Sequence, residues 1–207
     1  MVRLKKTALL AALCGALLVT GCLQEKPIVS MPGGTSNMTL TEQREWVAEQ
    51  LDAAVAASGV ADGWYDIYWQ DVYWAEDRPD DRELLFGAWL PNECGGNSGR
   101  LDVSLKNMSS EDPLAATARV RAFWEAEELP VRDLYETHND TEPYFIVDFE
   151  DGGTFSMQAS SEGMSISAHT ACSVNNTVTN WQAHRDDEGN PFQDELDRRD
   201  EEGTGSE

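Results

Sequence analysis

The sequence predicts an α+β fold: a two-layer sandwich with an antiparallel sheet and two helices packed on one of its faces. Three observations carry this expectation. Two stretches, opening near residues 40 and 113, repeat apolar residues at helical spacing behind N-cap signatures. Other runs alternate apolar and polar residues, the period of a half-buried strand. The later runs are separated by Glu150-Asp151-Gly152-Gly153 and Ser161-Glu162-Gly163, turns that suit antiparallel hairpins.

The elements follow in order. Thr39-Leu40-Thr41-Glu42 is a capping-box pattern, and Val47, Leu51 and Val55 then recur at i, i+4 and i+8 beside Trp46 and Ala54. Gly59 offers the stop. Residues 64–74 are rich in aromatic and β-forming side chains and predict one strand, followed by an acidic turn over 76–81. A second strand is expected over 84–90, ending at Pro91, with Cys94 just beyond. Leu101, Val103 and Leu105 alternate with Asp102, Ser104 and Lys106 in a third. Asp112 as N-cap and Pro113 at the first helical position open the second helix, through Ala116, Val120, Phe123 and Trp124, with Pro130 beyond it. Strands are expected over 131–137, 144–150, 154–159 and 164–172. In the last, Met164, Ile166, Ala168 and Cys172 share the core-directed face. Ser165, Ser167 and His169, with Thr154, Ser156 and Gln158, take the other. The order suggests two αβββ-like halves, although no residue-level repeat proves a duplication.

The chain has 207 residues, of which 41% are hydrophobic, enough for one cored domain with appendages. Its net charge of -23, from 15 Lys+Arg against 38 Asp+Glu, argues against a nucleic-acid partner, because phosphate affinity comes from Lys and Arg. The composition divides it into a signal segment (1–21), a Pro/Gly-rich flexible tether (22–38), a globular domain (39–181) and an acidic tail expected to be disordered (182–207).

The first segment is for targeting. Arg3, Lys5 and Lys6 form a positive region ahead of a short apolar run, residues 8–19, too short to anchor stably across a bilayer. Val19-Thr20-Gly21-Cys22 follows directly and resembles the lipobox of bacterial lipoproteins. The resemblance implies cleavage before Cys22, diacylglycerol on its thiol, palmitate-type acyl chains, and a protein held on the extracytoplasmic face of the cell membrane. Several acyl chains hold far more firmly than one. In an exported chain the remaining pair, Cys94 and Cys172, reads as one disulfide. The helix at 115–124 and the Gly163-Met164-Ser165-Ile166-Ser167 strand ending in a cysteine add to this pattern. The arrangement is similar to small cell-envelope lipoproteins of actinobacteria, of the LppA-like kind. That similarity implies envelope localisation and a non-catalytic role, and carries over only Cys22 as a functional residue.

The common catalytic and nucleotide-binding motifs are missing, and no cofactor is expected. His138, His169 and His184 lack zinc spacing, so no metal is expected either. Three candidates have chemistry. His169 with Ser165 and Ser167 would serve nucleophilic catalysis if a carboxylate oriented the ring, against a plain solvated sheet face. The acid groups Asp148/Glu150/Asp151 and Asp186/Asp187/Glu188/Asn190 offer oxygens for calcium or carboxylates for glycoside hydrolysis, without EF-hand spacing. The aromatic run offers Trp64, Tyr68, Trp69, Tyr73 and Trp74 as a binding patch for a protein or glycan partner, at least two of its rings exposed beside Asp66, Asp71 or the acids of 76–81. Two function classes follow: a lipid-anchored, non-enzymatic envelope protein that binds a partner or ligand, or an exported hydrolase with unfamiliar motifs.

Overall fold

The first helix, α1 (Leu40–Ser58), begins where the capping box places it in the computed structural model, which describes residues 35–135 and 140–183. The Thr39 hydroxyl accepts from the Glu42 amide at 3.2 Å, and Glu42 Oε2 accepts from the Thr39 amide at 2.8 Å. That backbone donor, with the Thr39 hydroxyl, holds the Glu42 carboxyl below its ordinary pKa. The helix ends at Gly59, whose φ of 68° is left-handed and favours a residue without a Cβ.

The aromatic run forms a hairpin of β1 (Trp64–Asp66) and β2 (Trp69–Tyr73), not one strand. Asp66 causes the reversal: its Oδ1 accepts the Tyr68 amide at 2.8 Å, an Asx turn inside an otherwise β-forming segment. The strand expected over 84–90 is also corrected. Residues Pro79–Ala88 form helix α2. Pro79 sits at the helix start, Asp80 and Asp81 complement the positive end of the dipole, and Leu84 and Leu85 turn inward. Asp80 and Asp81 of the expected turn thus join the helix's first turn, while Glu76 and Asp77 stay in a turn ahead of it.

A small separate hairpin follows, β3 (Asn92–Gly95) with β4 (Ser98–Arg100). Then come β5 (Asp102–Asn107), α3 (Pro113–Ala126), β6 (Val131–Asp133), β7 (Tyr144–Asp148), β8 (Thr154–Ala159), β9 (Met164–His169) and the short α4 (Asn176–Thr179). Asp112 caps α3 by accepting the Ala115 amide at 2.9 Å. The main sheet has seven antiparallel strands in the order β2-β1-β5-β9-β8-β7-β6. Strands that precede α3 lie on one side of the β5–β9 junction and strands that follow it on the other.

The fold is the expected α+β arrangement, with α1 and α3 packed on the sheet and on each other. Val103 and Leu105 of β5, Ile166 and Ala168 of β9, Phe155 and Met157 of β8, and Phe145 and Val147 of β7 point to the helices and are buried. Trp124 of α3 meets Phe145 and Phe155 edge-on, at 5.5 and 5.0 Å between ring centres. Each such large apolar side chain contributes roughly 1.5–3 kcal/mol when removed from water. The unexpected α2 packs beside β2, where Trp74 and Trp89 meet at 5.0 Å.

Cys94 and Cys172 are joined, their Cα atoms 6.1 Å apart across a separation of 78 residues. Cys172 lies past the end of β9, however, not on its core face: the strand stops at His169, and Cys172 is half-buried. The predicted tether also ends earlier than residue 38. The Ser36 amide donates to the Cys172 carbonyl at 2.7 Å and the Val174 amide to the Ser36 carbonyl at 3.1 Å, a parallel bridge centred on Ser173. The Ser173 hydroxyl also donates to the Met38 carbonyl at 2.6 Å. At the other end, residues 181–183 are helical and overlap the first positions of the expected tail. The signal segment, Cys22 and the remainder of the tail lie outside the described residues.

Candidate functional site: the open face of the sheet

Side chains alternate across a strand, so the register that buries one face of the main sheet also aligns polar residues on the other. Three cross-strand rows result. The first runs Asp102, His169, Thr154, Asp148; the second Ser104, Ser167, Ser156, Ile146. The third runs Tyr65, Lys106, Ser165, Gln158, Tyr144, with Tyr73 beside Tyr65. Neither α1 nor α3 reaches this face, because both are spent on the apolar one.

At the first row, His169 Nδ1 lies 2.6 Å from Asp102 Oδ1. Arg100 Nε pairs with the same carboxylate at 2.8 Å, and Asn92 Nδ2 donates to its other oxygen at 3.2 Å. Burial pushes the Asp102 carboxyl up, but the hydrogen bond from His169, the charges of Arg100 and His169, and the Asn92 amide outweigh it, leaving the pKa below its ordinary value. The carboxylate fixes the ring orientation, as in a catalytic dyad. The serine hydroxyls do not complete one. Ser167 is hydrogen-bonded to Ser104 at 2.7 Å in the next row, and Ser165 is a row further. Among the described residues, no hydroxyl bonds to the His169 ring.

The third row has a different character. Two adjoining grooves open on it, of about 330 and 200 Å³, both lined by Lys106, Tyr144, Gln158 and Ser165. Tyr65 meets Tyr73 edge-on at 6.3 Å, and Tyr135 leans on Tyr144 at 5.7 Å, so paired rings stand at both ends of the row. Tyr65 and Tyr144 are separated by four interstrand steps, roughly 19 Å at about 4.8 Å per step. This end combines aromatic faces, an amide, hydroxyls, one ammonium and, at the rim, the carboxylates of Glu142 and Glu162, a mixture that binds ligands more readily than it reacts with them.

The aromatic patch expected from sequence does not form as a unit. Trp64 is 0% and Trp74 2% exposed, and both belong to the core; the Trp64 indole donates to the Val60 carbonyl at 2.7 Å. Trp69 is half-buried against the core. Tyr73 is half-buried on the open side beneath the Arg78 guanidinium, 4.6 Å from its ring centre. Only Tyr68, at 80% exposure on the hairpin tip, stands free in solvent, so the expectation of at least two substantially exposed rings is corrected. The Asx turn folds the run back on itself, so that Tyr68 lies at the tip while Trp64, Val72 and Trp74 are buried in the core. Tyr65 and Tyr144 flank the third row: Tyr65 belongs to the aromatic run without being one of the five rings expected to form the patch, and Tyr144 gave a signal only through its place opposite Gln158, which needs the register.

The remaining candidates are engaged elsewhere. Asp148 pairs with Arg132 at 2.8 Å, and Asp151 accepts the Gly153 amide at 2.8 Å. Among the described residues no group of three or more His, Cys, Asp or Glu side chains is placed to hold a metal, and residues 186–190 lie outside them. A larger hollow of about 960 Å³ lies between the end of α1 and the start of α2. Its central polar groups are already satisfied: Asp52 takes both Arg82 nitrogens at 2.7 Å and the Trp74 indole at 2.9 Å. The open sheet face therefore remains the better site. No helix among the described residues is long and apolar enough to cross a membrane. No protein-family model matches the chain, and no curated protein or solved structure matches it either.

Proposed function

We propose that this protein is a lipid-anchored, non-enzymatic protein of the bacterial cell envelope whose extracytoplasmic domain binds a ligand on the open face of its sheet. The observation that carries the reading is the asymmetry of the sheet, one face packed under two helices and the other a grooved polar surface flanked by tyrosines. The lipobox-like Val19-Thr20-Gly21-Cys22 supports the anchor. The Cys94–Cys172 bond supports an oxidising, extracytoplasmic location. The envelope assignment also takes up the resemblance to LppA-like lipoproteins, which rests on the sequence pattern alone.

The hydrolase alternative draws on the Asp102–His169 pair. It requires a hydroxyl within reach of the ring, and the serines of the neighbouring row bond to each other instead.

Two experiments test the proposal. Cys22→Ser should release the domain from the membrane fraction or leave it unprocessed; normal processing with unchanged membrane partition refutes the anchor. A photoreactive residue at Gln158 should form adducts in intact cells, whereas one at Glu49, exposed on α1, should not. Equal labelling from both positions, or none from 158, refutes the site.

A further inference from the structure

We propose that the groove of the third row binds a saccharide chain carrying one carboxylate, with the Lys106 ammonium receiving that group. The inference rests on the open face being the ligand surface, and it names the ligand class.

The first argument is the charge of Lys106. It is the sole lysine among the described residues, in a chain of net charge -23. Each arginine among those residues already faces a carboxylate or a backbone carbonyl. Among the same residues no carboxylate or carbonyl pairs with the Lys106 ammonium, although acids abound. An exposed cation that has no such partner among the described residues, and that lines both grooves, is placed for an anionic group that arrives from outside.

The second argument is what surrounds it. Gln158 and Ser165 offer donors and acceptors together, which suits the hydroxyls of a sugar. Tyr144 lines both grooves and Tyr65 closes the other end of the row, roughly 19 Å away by strand spacing, so the row offers aromatic rings to the apolar faces of successive sugar rings.

The third argument limits the ligand's charge. Glu142 and Glu162 line the same groove and repel a second anion near the first. Polysulfated or polyphosphate chains are thus excluded by the rim, and the isolated carboxylate of an acidic sugar is not.

The test uses the full-length protein purified in detergent, on an array of neutral, singly carboxylated and polysulfated oligosaccharides. Singly carboxylated glycans should be retained, and reducing the carboxylate to an alcohol should weaken binding about tenfold, the order expected for one charge-assisted contact. Lys106→Gln should show the same loss with no further loss on the reduced glycan, while Lys106→Arg retains binding. Tyr144→Ala should weaken reduced and carboxylated forms alike. A silent array, indifference to Lys106→Gln, or preference for polysulfated chains overturns the inference. Protein adducts from position 158 beside a silent array overturn the saccharide and leave the surface reading standing; the absence of any adduct removes the surface reading itself.

Discussion

The two faces of the main sheet share the same seven strands and the same backbone hydrogen bonds, yet they constrain sequence in different ways. On the covered face a side chain must fill a fixed volume between strands and helices, as Trp64, Leu105, Phe155 and Ile166 do at full burial. On the open face Tyr65, Lys106, Gln158 and Ser167 meet water, and their identity is free to serve recognition. Stability is therefore concentrated on one side of a layer one residue thick, and chemistry on the other.

Neighbouring residues offer the sharpest way to break this comparison. Trp64 and Tyr65 are adjacent in β1 but face opposite ways. Trp64→Ala should lower the unfolding free energy by about 3–5 kcal/mol, as large-to-small core changes do. Tyr65→Ala should lower it by about 1 kcal/mol or less. Urea titrations of the two variants measure the difference, and equal losses would show that both faces are core.

Carboxylates sharpen the comparison through pH. Asp102, on the open face, has a pKa lowered from 3.8 by its partners. Its contribution is present above that value and is lost as the pH falls through the depressed pKa. Asp66, on the covered side and 5% exposed, has its pKa raised by burial, against the lowering effect of the Tyr68 amide. It opposes folding increasingly as pH rises from 3.8 through the raised value. Asp102→Asn should thus be less stable than wild type at pH 7 by about 1–2 kcal/mol. Asp66→Asn, which keeps an acceptor for the Tyr68 amide, should be more stable at pH 7. Both differences should shrink in acid, as read by unfolding curves at pH 7 and below 3.8. A difference that stays constant with pH would mean that charge is not its cause.

The smallest effect belongs to Tyr68. At 80% exposure its replacement by Ala should move stability by no more than about 0.5 kcal/mol. Thermal melting that falls by many degrees would show that the hairpin tip is packed after all.

Legibility in the sequence followed the range of the determining interaction. The caps of α1 and α3, the alternation in β5, β8 and β9, and the fold class rest on residues within a few positions of one another, and they were readable. The 84–90 segment was misread because Leu84, Leu85 and Phe86 suit strand and helix alike; Pro79, Asp80 and Asp81 settle it from outside the apolar run. The single-strand reading of 64–74 missed Asp66 as a turn former. The cysteine pair was legible by elimination once the chain was read as exported, whereas the partnership of Asp102 with His169, 67 residues apart, needed the β5–β9 register. The third row was illegible for the same reason: its five residues come from five strands, and only pairing assembles them.

The short bridge at Ser36 also decides how the domain transmits force. A pull at residue 35 does not reach α1 first, since Ser36 is held at both its amide and its carbonyl by Cys172 and Val174. Tension passes into the segment that leaves β9, and through the Cys172–Cys94 bond into the hairpin that leads to β5. It thus enters the sheet at the adjoining ends of β5 and β9, two inner strands. Under a pull directed along those strands the cross-strand hydrogen bonds are sheared together and do not open one by one. Anything gripped at Lys106, on β5, would be pulled against residue 35 through that strand, with α1 left slack.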